Sequence, residues 1–187
     1  MARIKLTKEF KEAITQLPDR EKDKLLFRLV AKDAALVERL EYELLEGAET
    51  QEERRNDVAR NIDETLEDYE TYFYSPGYLL LELRALSAEI TRHIKATKDK
   101  YGEVYLNFIL LNRALERFGK RIASFSTQKA RTLNDYVVKR ALKIEKLIEK
   151  LHEDYRLDFA DDWKQLTALI RSIPTMKRTA DWFNLEL

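Results

Sequence analysis

The clearest pattern in the chain is a pair of apolar stripes between Ser75 and Gly119. Both stripes advance in steps of three and four residues, which is the spacing of one face of an α-helix. The stripes consist of Leu79, Leu83, Leu86, Ile90 and Ile94, then Val104, Phe108, Leu111, Leu115 and Phe118. A polar break at 97–100 separates them, so the pattern predicts an antiparallel αα-hairpin. Extra apolar residues widen both stripes, and we therefore expect the hairpin at 75–119 to be central.

Helix boundaries can be predicted on the N-terminal side of this hairpin. Thr7 and Asp33 are expected to cap helices, because short side-chain acceptors satisfy the free amides of a first turn. The first of these helices is expected to be a lid on the core. Thr50 is followed by glutamates in the spacing of a capping box, so a helix should begin there. Ser75 and Pro76 then suit the N-cap and first position of the next helix.

The C-terminal third of the chain predicts further helices. A long helix is expected from Leu133 to Tyr155, followed by one that Asp158 caps and Pro174 ends. The tail to Leu187 carries four large apolar residues, which is too many for a solvated terminus. We expect this tail to dock on the body.

Composition favours one all-α domain spanning residues 1–187. The chain has only four glycines and three prolines in 187 residues, with 36% charged residues, which leaves little turn chemistry for an all-β fold. We predict roughly six to eight helices. They would pack as an irregular multi-helical bundle or as a short α-superhelix with paired layers of the armadillo or HEAT type.

The chain contains no cysteine, so neither a disulfide framework nor a thiolate metal site is available. The N-terminal residues lack the apolar run of a signal peptide, and no apolar run approaches the roughly 18 residues of a membrane span. We therefore expect a soluble, cytoplasmic protein with no membrane partner.

Formal charge balances at 34 basic and 34 acidic residues, but the two signs are separated along the chain. Residues 41–70 hold twelve acidic residues against three arginines, whereas residues 113–150 hold eleven basic residues against four acidic ones. Such asymmetry is typical of a binding surface, or of two faces that attract each other within one fold.

The basic segment is a candidate for binding nucleic acid or phosphate. Lysines at helical spacing form one column, which nearby arginines could extend into a patch that neutralises phosphates. The candidate residues are Arg113, Arg117, Lys120, Arg121, Lys139, Arg140, Lys143, Lys146 and Lys150. A solvated helix face is the alternative, because aromatic residues that would stack on bases are sparse here.

The acidic segment carries a column of carboxylates at Glu53, Asp57, Glu64 and Asp68. Carboxylates on helices bind magnesium in all-helical nucleotide hydrolases, so this activity is a further alternative. The column lies roughly 150° from the apolar seam of the same helix, which favours a solvated face. We predict no cofactor and no metal site, since His93 and His152 are isolated.

Aromatic residues crowd the junction between the acidic helix and the central hairpin. Tyrosine combines an apolar ring with a polar hydroxyl and is enriched at interfaces. Tyr69, Tyr72, Tyr74 and Tyr78 are therefore candidate partner-binding residues, although they would equally serve to seal the junction.

No glycine-rich phosphate loop or nucleophile elbow is present. We predict a non-enzymatic helical interaction or scaffold protein with a protein partner. Homo-oligomers are an alternative, because the acidic and basic helices of two copies could pair.

Overall fold

The computed structural model describes residues 4–186, and every regular element within that range is helical. The all-α prediction is confirmed, with slightly more helices than expected. The helices are α1 (Lys8–Thr15), α2 (Asp19–Val30), α3 (Ala34–Glu41), α4 (Gln51–Tyr72), α5 (Pro76–Thr97), α6 (Lys100–Ala123), α7 (Thr127–Ile148), α8 (Glu153–Arg156), α9 (Ala160–Ser172) and α10 (Pro174–Trp182). A π-helical turn spans Tyr42–Glu46, and 3-10 turns span Ala48–Thr50 and Leu157–Phe159. None of the helices in the described range is long and apolar enough to cross a bilayer.

Helices α5 and α6 are the two helices that the apolar stripes predict. Ser75 caps α5 by accepting a hydrogen bond from the amide of Tyr78 at 3.5 Å, and Pro76 occupies the first position. Both stripes are buried, except for Ile94, which is half-buried. Helix α6 contacts α4, α5, α7 and α9, so the core surrounds this helix.

Helices α1 and α2 do not cover this core, whereas α3 lies against α5. Thr7 and Asp33 cap α1 and α3 as predicted, with acceptor distances of 3.3 Å to the amide of Phe10 and 3.1 Å to the amide of Leu36. No residue of α1, α2 or α3 is buried, however. The lid prediction is therefore wrong. An apolar stripe shows that a helix has an apolar side, but not which surface covers that side.

Two predicted caps are also wrong, although the helices begin close to where they were expected. Thr50 already has helical dihedral angles, because a 3-10 turn runs directly into α4, whereas an N-cap needs extended backbone. Its hydroxyl donates instead to the carbonyl of Gly47 at 3.2 Å. Asp158 lies within a 3-10 turn, and no side chain caps α9.

The C-terminal segment departs from the predicted helices in its details. The long helix ends at Ile148 rather than Tyr155, and Pro174 both follows α9 and starts α10. The tail docks as expected, since Met176, Ala180 and Leu185 are buried. The last residue of that predicted tail, residue 187, lies outside the described range, as do residues 1–3.

Candidate binding surfaces

An apolar groove of about 270 Å³ lies between α2, α3 and the π-helical turn that follows α3. Its walls are apolar except for one carboxylate, and several of the side chains are largely exposed: 68% for Phe27, 75% for Leu44 and 81% for Leu45. The lining residues are Leu26, Phe27, Val30, Val37, Leu40, Glu41, Leu44 and Leu45. We call this feature the apolar groove.

The sequence of α2 explains one wall of the apolar groove. Five of its last six residues, 25–30, are apolar, so apolar side chains point to more than one side of the helix. Helix α2 packs against α3, and one neighbouring helix cannot cover all of these sides. Leu26 and Phe27 are left exposed to solvent.

The π-helical turn explains the other wall. A π-helical turn holds an extra residue per turn and so changes the direction of the side chains that follow. Tyr42 points inward and is buried, whereas Leu44 and Leu45 point outward. Gly47 ends the turn with a φ of 77°, a conformation that glycine adopts without steric cost.

An ion pair fixes this turn to α4. The guanidinium of Arg54 donates to both carboxylate oxygens of Glu46 at 2.5 Å, and it also lies 5.7 Å from the centre of the Tyr42 ring. The hydrogen bond to Glu46 raises the pKa of Arg54, and it holds the pKa of Glu46 below its ordinary value. The position of Leu44 and Leu45 therefore depends on α4 as well as on α3.

The predicted tyrosines divide into two groups. Tyr69 is half-buried and packs edge-on against Phe118, with ring centres 5.7 Å apart, so it seals the junction of α4 and α6. Tyr72, Tyr74 and Tyr78 are exposed, and the rings of the last two meet edge-on at 5.6 Å. We call these three exposed residues at the junction of α4 and α5 the exposed tyrosine cluster.

The predicted arginines of α6 face the acidic helix α4. Arg113 lies 3.2 Å from the carboxylate of Asp63, and Arg117 lies 3.4 Å from that of Glu70. Arg121 donates to the backbone carbonyl of Glu70 at 2.6 Å. The opposite charges of the two segments thus attract each other within the fold.

The predicted basic residues of α7 have different surroundings. Arg140 is turned toward α5 and α6, where it donates to Asn107 at 2.7 Å and to the Tyr136 hydroxyl at 2.8 Å, and it also donates to the Ser87 hydroxyl. Burial lowers the pKa of Arg140 from its ordinary value. Lys143 pairs with a carboxylate of α6, and Lys139 lies over an aromatic ring. Among the described residues, the predicted cations without such a partner are Lys120, Lys146 and Lys150.

The carboxylate column of α4 is exposed, as expected for a solvated face. Glu53 and Asp57 border a cleft of about 610 Å³ between α3, α4 and α5. Three more carboxylates, two arginines and His93 also line this cleft. Within residues 4–186, no three histidine or carboxylate side chains converge closely enough to hold a metal ion.

A buried polar cluster lies beside this cleft at the start of α6. The carboxylate of Asp99 accepts from the amide of Gly102 at 2.7 Å and lies 3.2 Å from Arg55 and 3.6 Å from Nε2 of His93. Burial alone would raise the pKa of Asp99, but the neighbouring His93 ring, the hydrogen bond from the amide of Gly102 and the charge of Arg55 lower it. The cluster therefore fixes a charged N-cap between α4, α5 and α6.

Sequence reasoning missed both the apolar groove and this polar cluster. The consecutive apolar residues at 25–27 and 44–45 exceed what one helix face needs, and this signal could have indicated an unpaired surface.

Comparison of the chain with protein-family models, with curated proteins and with solved structures found no match.

Proposed function

We propose that this chain is a non-enzymatic helical interaction protein that binds another protein chain through the apolar groove. The observation that carries the proposal is the exposure of Phe27, Leu44 and Leu45 around a concave apolar surface. Contiguous apolar surface on a folded chain is typical of a docking site, because its burial is favourable.

The shape of the apolar groove favours a helix as the docked element. An amphipathic helix places apolar side chains at intervals of three and four residues, which suits a groove between two helices. Phe27 offers the large, rigid side chain that often contributes most to binding at an interface. Glu41 adds one negative charge beside the apolar lining, which favours a partner with a basic residue at that position.

The exposed tyrosine cluster is a second contact in this proposal. Tyr72, Tyr74 and Tyr78 combine apolar rings with hydroxyl groups that remain hydrated, a combination suited to the rim of an interface. The absence of cysteine suits a cytoplasmic setting for this interaction. Paired-helix layers of the armadillo or HEAT type, one arrangement predicted from the sequence, would present such contacts along a concave surface.

A pair of matched leucine variants tests the proposal. Leu45 in the apolar groove and Leu157, which lies in a different part of the chain, are 81% and 80% exposed, so neither substitution opens a cavity. The full-length protein and its Leu45→Glu and Leu157→Glu variants would be used to isolate binding proteins, and affinities would be measured with the purified partner. We expect Leu45→Glu to weaken binding about tenfold or more, because it places a charge against apolar surface. Equal affinities for all three proteins would contradict the proposal.

A further inference from the structure

We infer that the chain that fills the apolar groove is a second copy of the same protein, paired through a two-fold axis. This inference rests on the proposed function and names its partner. In the paired arrangement, α2 and α3 of one copy lie against α3 and α2 of the other. Two helix pairs with apolar inner sides would then form a four-helix bundle. This bundle buries the apolar side chains that each helix pair exposes to solvent in a single copy.

The exposed area matches what one partner contributes to a dimer. Leu26, Phe27, Leu44 and Leu45 are each more than half exposed. Taking about 200 Å² for Phe27 and the lower aromatic bound of about 150 Å² for each leucine, the four exposed fractions together amount to roughly 450 Å². A standard interface buries about 800 Å² on each partner, and about 65% of a homodimer interface is apolar. The apolar groove therefore offers about the apolar area that each copy would supply.

The two segments that border the groove carry opposite net charges. Residues 20–32, which include most of α2, hold five basic residues against two acidic ones. Residues 33–50, which include α3 and the π-helical turn, hold six acidic residues against one basic residue. A two-fold axis that places α2 of each copy against α3 of the other brings opposite charges together twice.

Within the described part of one chain, α2 and α3 form no ion pair with each other. Within residues 4–186, the ion pairs of α2 lie inside α2 itself, and those of α3 and the π-helical turn lie inside that segment or lead to Arg54. Lys24 lies one helical turn before Phe27, outside the groove lining, and its 3.4 Å pair with Glu21 is largely exposed, whereas Glu41 lines the groove itself. The chain as a whole carries no net charge, so two copies do not repel each other at long range.

Sedimentation of the full-length chain over a range of concentrations tests the inference. We expect a dimer at about 10 µM, a dissociation constant at least about tenfold higher for Phe27→Glu and Leu45→Glu, and no change for Leu157→Glu. Phe27 and Leu45 are largely exposed, and circular dichroism of each variant would establish that it is folded. A chain that stays monomeric at about 200 µM, or a dimer that neither groove variant weakens, overturns the inference.

A charge exchange distinguishes a second copy from any other partner. Glu41→Lys and Lys24→Glu are each expected to weaken self-association, because each places like charges together at both symmetric contacts. An equimolar mixture of the two variants should recover association, since opposite charges then meet at both contacts. Failure of the mixture to associate would overturn the two-fold arrangement. If the chain is monomeric but Leu45→Glu still loses a different protein partner, the proposed function stands and only this inference fails.

Discussion

Arg54 and Glu46 form a two-pronged ion pair, with 2.5 Å separating Nε and Nη2 of the arginine from the two carboxylate oxygens. The pair joins two parts of the chain eight residues apart, the π-helical turn and the second turn of α4. Since that turn carries Leu44 and Leu45, the ion pair fixes one wall of the apolar groove. The proposed docking surface is thus held by a polar contact behind it.

Removing this ion pair should loosen the groove wall. We expect Arg54→Gln to lower the free energy of unfolding by a small but measurable amount, because a two-pronged, partly exposed pair is stronger than an ordinary surface pair. Urea denaturation would measure the loss, and hydrogen exchange should accelerate at residues 42–47. Arg60→Gln is the control, since Arg60 pairs with Asp57 at 3.0 Å with both side chains largely exposed. An equal effect of the two variants would contradict the role assigned to Arg54.

The start of α6 should not tolerate a side chain at position 102. A Cβ added to Gly102 would lie 2.6 Å from Cγ of Asp99 and 3.0 Å from Cδ of Arg55. We expect Gly102→Ala to destabilise the protein by about 2 kcal/mol in denaturant titration, because the buried Asp99 and the half-buried Arg55 would have to move. Gly77→Ala is a matched control in the first turn of α5, where the nearest atom is the Ser75 hydroxyl at 3.8 Å. A loss in Gly77→Ala as large as in Gly102→Ala would contradict the account.

The same cluster predicts how stability depends on pH. The pKa of Asp99 is lower in the folded chain than its ordinary value, despite burial, because His93, Gly102 and Arg55 favour the ionised form. Its contribution is therefore fully present above about pH 4 and is lost as the pH falls through the lower folded value. Asp99→Asn should flatten the profile of unfolding free energy in that acidic range. Asp181→Asn, which changes an exposed aspartate, is the control and should leave the profile unchanged. A pH profile of Asp99→Asn identical to that of the unsubstituted protein would contradict this prediction.

The positions of the basic residues predict weak binding to nucleic acid. Three of the predicted arginines contact α4, and Arg140 is turned inward, so a continuous positive surface does not form from these four. We expect the chain to leave a DNA column at physiological salt without retention. Retention that falls with salt and is lost in Lys146→Glu/Lys150→Glu would instead favour the nucleic-acid alternative.

Local sequence signals predicted much of the helical framework. The stripes of α5 and α6 became buried, and the caps at Thr7, Asp33 and Ser75 formed, because these features depend on residues close together in the chain. The cap at Thr50 failed for a local reason as well, since a preceding 3-10 turn gives this residue helical dihedral angles.

The candidate surfaces were harder to predict, because they depend on which helices meet. Arg117 and Lys150 are equally basic in the sequence, but only Arg117 has α4 carboxylates within reach. Phe10 and Phe108 both lie on helical stripes, yet Phe10 is exposed and Phe108 is buried against Trp163 of α9. Helix periodicity describes each helix alone, and burial is decided by the neighbours that tertiary packing supplies.

Site-specific photo-crosslinking in cells tests the central claim most directly. A photoreactive amino acid placed at Leu45, inside the apolar groove, would be compared with the same group at Leu157, which is equally exposed in a different part of the chain. We predict one discrete cross-linked product from position 45 and none from position 157, with the mass of the product showing whether the partner is a second copy. Equal cross-linking from both positions, or none from position 45, would contradict the claim that the apolar groove is the binding surface.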